Sequence, residues 1–114
     1  MIQIALTKTE DWCQLLVCGH ADFDRHGRDI VCAAVSALVA ALADYVEDEA
    51  GCGIQASVQI RSGYACVRAE GKAWESFRLV YRGLCRLART YPEHVAVVHG
   101  ERTGEETSNK EERI

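Results

Sequence analysis

The 114-residue sequence has no Cys-x-x-Cys pair, no basic patch interleaved with aromatics, and no uninterrupted apolar run near the ~18 residues of a membrane span. The first absence argues against a zinc ribbon. The second, with a formal charge of -4, argues against direct nucleic-acid binding. Part of that charge sits at the end, where Glu101 to Ile114 holds five acidic and three basic residues, so the rest is only mildly acidic. The third argues against a membrane protein. The start, MIQIALTKTEDW, also lacks the basic-then-apolar plan of a signal peptide, and its apolar residues alternate instead. The expected location is the cytoplasm.

Apolar residues, by contrast, are plentiful at 48%. A chain of this length and composition favours one domain with a core that needs no staples. Six cysteines are present: Cys13, Cys18, Cys32, Cys52, Cys66 and Cys85. In a reducing compartment they are expected to stay thiols, and most read as small core hydrophobes.

Periodicity divides the chain. Ile2, Ile4 and Leu6 alternate with polar or small residues, giving a strand with one buried face. Cys13 to Gly19 reads as its hairpin partner, closed by His20 and followed by the polar loop Ala21 to Arg28. Asp29 to about Asp48 reads as an alanine-rich helix, apolar almost all round and so expected to be largely buried. Asp29 is its candidate N-cap. Ile54, Ala56, Val58 and Ile60 predict a clean amphipathic strand, Arg61-Ser62-Gly63 a hairpin turn, and Tyr64 to Ala69 the returning strand. Phe77, Val80, Tyr81, Leu84, Leu87, Ala88 and Tyr91 recur at helical spacing, and Pro92 ends that helix. His94 to His99 is a candidate final strand. The order ββαββα, with that strand, predicts an α+β fold: a small two-layer α/β sandwich over residues 1–100. The charged segment 101–114 is expected to be a disordered tail.

The stretch GHADFDRHGRDIVCAA, Gly19 to Ala34, places an imidazole and a thiol on either side of the polar loop. With Asp29 as N-cap, Cys32 is the third helical residue, where free amides and the helix dipole favour thiolate over thiol. Such a place is one way proteins lower a cysteine pKa from ~8.5. A strand end and the next helix start can meet in space, so a Cys–His nucleophile pair is allowed. From spacing alone, a core cysteine and a turn histidine are the commoner reading. A metal set of Cys18, His20, His26 and Cys32 fits no standard zinc spacing.

Gly19-His20-Ala21-Asp22 followed by Gly27-x-Asp29-Ile30-Val31-Cys32-Ala33-Ala34-x-Ser36 resembles the signature of the ribosomal-processing cysteine proteases, the Prp family. The resemblance spans nearly the whole chain except the tail. It implies that Cys32 is the nucleophile and His20 the general base. It further implies removal of a short N-terminal extension from a large-subunit ribosomal protein, a homodimer, and no metal or cofactor. Amides at the helix start around Cys32 are the expected oxyanion donors.

Around that dyad, Asp29 reads first as a cap and second as an orienter of the imidazole. Asp22 would share a face with His20 only if the strand continued through it. Asp24 is a further candidate orienter, and His26 a rival base on a poorer platform. Ser36 lies one helical turn after Cys32 and faces the same way. Loop 21–28, with Gly27, is a candidate lid over a substrate peptide, and Asp22 and Asp24 could attract basic residues after the cut. Trp12, Trp74 and Tyr64 could line apolar subsites but read first as packing or dimer contacts, and His94 and His99 as structural or exposed. The competing function is a non-catalytic ribosome-associated binding module with a structural Cys32.

Overall fold

The alternation of the first residues does fold as a strand. In the computed structural model, which describes residues 1–99, β1 (Ile2–Lys8) and β2 (Trp12–Cys18) form an antiparallel hairpin. The helix α1 (Ile30–Ala50) follows, then the hairpin β3 (Ala56–Arg61) and β4 (Tyr64–Glu70). A short 3-10 turn at Gly71–Ala73 leads into α2 (Trp74–Thr90), and β5 (Val95–His99) completes a five-stranded sheet of order β3-β4-β2-β1-β5. Only β5 runs parallel to its neighbour, β1. The expected α+β sandwich, including the last strand, is thus the observed fold. Segment 101–114 lies outside the described residues.

One sheet face is apolar by period two. Ile4, Leu6, Leu15 and Val67 lie on it, fully buried against Phe77 and Leu84 of α2 and Val31, Leu42 and Val46 of α1. Each such side chain contributes about 1.5–3 kcal/mol by leaving water. The helices pack on this face and on each other, which makes two layers.

Two expectations about burial need correction. The helix α1 buries a single stripe (Val31, Val35, Val39, Leu42, Ala43 and Val46) and leaves Ala33, Ala37, Ala40 and Ala41 exposed. Ile30 and Tyr45 are 59% and 46% exposed. Hydropathy counts alanine as apolar whether or not anything covers it. For the same reason α1 is long and apolar enough to cross a membrane, with a mean hydropathy of 1.8, although its valine stripe lies against the sheet. In the second case, Val58 and Ile60 do face the helices, opposite Val67 and Ala65. Strand β3 is an edge strand, however, and Ile60 is 53% exposed.

The register gathers the functional segments at one end of the sheet. Cys18, the last residue of β2, pairs with Gln3 of β1 and with Tyr64, the first residue of β4. Ile2 pairs with Val95, the first residue of β5. The end of β2, the β3–β4 turn and the start of β5 therefore share one rim.

Candidate active site

Asp29 organises this rim. Its Oδ1 accepts from the Cys32 amide at 2.9 Å, the N-cap bond read from the sequence. Its Oδ2 accepts from the amides of Phe23 at 2.9 Å and Asp24 at 3.3 Å, tying the preceding loop to the helix start. Burial alone would raise the carboxyl pKa. The amides of Cys32, Phe23, Asp24 and Val31 outweigh that effect and hold it below the usual carboxylate range. Asp29 is accordingly a cap and a loop anchor, and its carboxylate is spent on backbone amides rather than on an imidazole.

Cys32 is half-buried at the third position of α1, and the amide of Ala21 donates to its Sγ at 3.4 Å. His20, the residue before that amide, therefore lies beside the sulfur along the backbone. Its exposed imidazole rests over the β3–β4 turn. A Cβ added at Gly63 would stand 2.8 Å from His20 Nε2 and 3.3 Å from Cε1, and Gly63 has φ +72. Only glycine meets both demands without displacing the ring. Gly63 also accepts from the Gly19 amide at 2.9 Å, which fixes the turn against the end of β2. No hydrogen bond joins the imidazole and the sulfur directly among the described residues.

Two of the amides expected as oxyanion donors are engaged at the helix start. The Cys32 amide donates to the Asp29 side chain, and the Ala33 amide donates to the Asp29 carbonyl at 3.1 Å. A cap and an oxyanion hole compete for the same orphan amides, and here the cap takes that of Cys32. The amide at the sulfur belongs to Ala21 instead.

The remaining candidates separate clearly. Gly19 has φ +101, and a Cβ there would run into the Met1 carbonyl oxygen, so glycine is required for close approach. Asp22 does not continue the strand: its φ is +56, and its exposed carboxylate lies 3.5 Å from the Met1 amino group. The turn removes the argument that Asp22 shares a face with His20. Asp24 accepts from the Arg25 amide at 2.7 Å within its own turn. His26 and Gly27 are exposed on the loop, with nothing within 4 Å of a Cβ at Gly27. Asp29 pins the first half of loop 21–28, and the Arg28 amide donates to the Arg25 carbonyl at 2.9 Å across His26 and Gly27. Ser36 is exposed one turn beyond Cys32. Among the described residues, no group of three or more His, Cys, Asp or Glu is placed to hold a metal ion, so the Cys18, His20, His26 and Cys32 set is not assembled.

Two other thiols differ from Cys32 in their surroundings. Cys13 is buried and donates to the carbonyls of Ala69 and Glu70 at 3.6 and 3.7 Å. Burial pushes its pKa up to about 11, with Lys8 pulling the other way. Cys52 is exposed in the turn after α1.

Two residues at the site escaped sequence reasoning. Gly63 read only as a turn former. His94, read as structural or exposed, places Nδ1 2.8 Å from the Ala21 carbonyl oxygen and sets its ring edge-on to Phe23, with centroids 5.2 Å apart. Phe23 in turn meets Tyr91 edge-on at 5.5 Å. Nothing local in the sequence marks either contact.

The family model described as "Cysteine protease Prp" matches residues 1–96. No curated protein matches the chain significantly. Among solved structures, the essential ribosomal processing protease Prp from S. aureus, covalently linked to a product peptide, is similar at TM-score 0.73 and 20% identity, covering 87% of this chain and 99% of that one. The same protease with a substrate peptide is similar at TM-score 0.68 and 19% identity, with the same coverage. SMU.848 from Streptococcus mutans is similar at TM-score 0.63 and 26% identity, covering 89% of this chain and 96% of that one. At these identities the solved structures establish the likeness of fold.

Proposed function

The chain belongs to the Prp family of cysteine proteases, and from that premise we propose that Cys32 and His20 are its nucleophile and general base. The proposed reaction is removal of a short N-terminal extension from a large-subunit ribosomal protein in the cytoplasm, by a homodimer that needs no metal or cofactor. The observation that carries the assignment is the placement of Cys32: third in a capped helix, half-buried, with the Ala21 amide on its sulfur and His20 joined to that amide.

His20 takes the proton of Cys32, and the sulfur attacks the scissile carbonyl carbon. The hydrogen bond from the Ala21 amide steadies the sulfur as it attacks, because hydrogen bonds strengthen as charge develops on the acceptor. To reach the sulfur the exposed imidazole must turn from its place over Gly63, and side-chain rotation is a ps–ns motion. Catalytic hydrogen bonds that are long in a free enzyme commonly tighten in the Michaelis complex. When the carbon–sulfur bond forms, the sulfur becomes a poorer acceptor, which leaves the fixed Ala21 amide to donate to the developing oxyanion. His20⁺ then protonates the leaving amine, and water deprotonated by His20 hydrolyses the thioester, returning the thiol. The mainly exposed loop 21–28 carries Asp22 and Asp24 beside this site, where basic residues of a substrate would be attracted.

The test is cleavage of the ribosomal protein bearing its N-terminal extension. Wild type should cut it, and Cys32→Ala and His20→Ala, folded like wild type, should not. Undiminished cleavage by Cys32→Ala refutes the assignment.

A further inference from the structure

We infer that His94 is a positioning residue for the catalytic centre, acting through the backbone of Ala21. This inference rests on the assignment of Cys32 as nucleophile. Ala21 is 1% exposed and sits between the general base and the turn at Asp22. Its two polar backbone groups are held from opposite sides. Its amide donates to Cys32 Sγ at 3.4 Å, and its carbonyl meets His94 Nδ1 at 2.8 Å. A carbonyl oxygen only accepts, so Nδ1 must carry the proton. His94 thereby fixes the residue whose amide points at the nucleophile.

The imidazole is itself well supported. The His94 amide donates to the Tyr91 carbonyl at 2.9 Å, and its carbonyl accepts from the Ile2 amide at 2.8 Å, so its backbone is pinned between α2 and β1. Phe23 packs edge-on against the ring and is tied to Asp29 through its own amide. Asp29 holds the loop from one side of Ala21 and His94 from the other. Without the His94 donor, Ala21 keeps its buried site but loses the bond that sets its rotation about the chain. The amide then no longer aims at sulfur. Sub-ångström aim of this kind is what separates a competent site from a merely present one.

The chemistry of His94 suggests a discriminating pair. His94→Phe keeps a ring against Phe23 and removes the donor. His94→Asn loses the ring but places an amide nitrogen where Nδ1 stands. Both are made in a Cys52→Ser background, so that the exposed Cys52 does not consume the probe. The readouts are the iodoacetamide alkylation rate of Cys32 and the kcat and KM for the extended ribosomal protein. In His94→Phe, alkylation and kcat should fall about fivefold, the worth of one hydrogen bond, with KM unchanged. In His94→Asn they should recover most of that loss. Equal losses in both variants, or no loss in His94→Phe, overturn the inference. A nitrogen-15 spectrum of neutral His94 in the wild type provides a check that needs no variant: it should show the Nδ1–H tautomer, and the Nε2–H tautomer overturns the inference. Failure of the dyad itself is read separately, from Cys32→Ala retaining activity.

Discussion

Replacing Asp29 separates capping from loop anchoring. In Asp29→Ala the helix loses its side-chain cap, at a cost of about 1 kcal/mol in typical helices. The Phe23 and Asp24 amides also lose their acceptor, but both are exposed, so water takes their bonds and stability changes little further. Asp29→Asn is the sharper perturbation. Its one side-chain oxygen can keep the cap on the Cys32 amide, 2.9 Å from Oδ1 in the wild type. Its nitrogen then replaces Oδ2, which faces amide donors at 2.9 and 3.3 Å, so donor meets donor. Asp29→Asn should therefore stay within ~0.5 kcal/mol of wild type while releasing the loop from the helix start. The Ala21 amide then drifts from Sγ, and alkylation of Cys32 should fall about fivefold, one hydrogen bond's worth. Asp29→Ala should fall similarly and also be less stable. Urea unfolding alongside iodoacetamide kinetics separates the two effects. Unchanged alkylation in both variants refutes the link from Asp29 to the sulfur. Equal destabilisation refutes the division between cap and anchor. The carboxylate adds a pH signature. Its folded pKa is depressed because the amide bonds outweigh burial. Its stabilisation is thus whole above the unfolded value of ~3.9 and is lost as pH falls through the folded value. Exposure keeps that contribution small. Asp29→Asn should show less loss of stability on acidification than wild type.

Gly63→Ala adds a methyl 2.8 Å from His20 Nε2 at φ +72. It should cost roughly 1–2 kcal/mol of stability and shift the NMR resonances of the His20 ring by displacing it; unchanged His20 resonances contradict the placement of the ring. Cys13, raised to about 11 by burial, should remain unlabelled by iodoacetamide in the native protein at neutral pH and label in urea, as read by peptide mass; native labelling contradicts its core assignment. Leu42→Ala removes a fully buried side chain and should cost about 2–5 kcal/mol, whereas Ala41→Ser, on the exposed face of α1, should change stability by less than ~0.5 kcal/mol. Comparable losses by urea unfolding would contradict the single buried stripe.

Strands β1, β2 and β4 were legible because their inner faces alternate strictly, from Ile2 and Cys13 to Ala69. The start of α1 was legible because a capping aspartate is a local signal. What could not be read was what covers each apolar residue. Ala37 and Ile60 carry the same hydropathy in a core or on a surface, and only the position of the second layer decides. The thiol and imidazole were found because eleven intervening residues confine them to neighbouring element ends. Their supports come from elsewhere in the chain: His94 reaches Ala21 across 73 positions, and Gly63 meets His20 through strand register. The oxyanion donors show a different gap. Asp29 caps the Cys32 amide, so that amide does not also count as free. Accounting for each backbone donor once adds the Ala21 amide, which lies at the sulfur, to the candidates.

The central claim is that His20 activates Cys32, and its most direct test needs no substrate. In a Cys52→Ser background, the iodoacetamide alkylation rate of Cys32 is measured at neutral pH, by site-resolved mass spectrometry, with His20 present and with His20→Ala. The account predicts that Cys32 labels fastest of the remaining thiols and that removal of the imidazole slows it about tenfold or more. A Cys32 that reacts no faster than its neighbours, or at the same rate without His20, would contradict it.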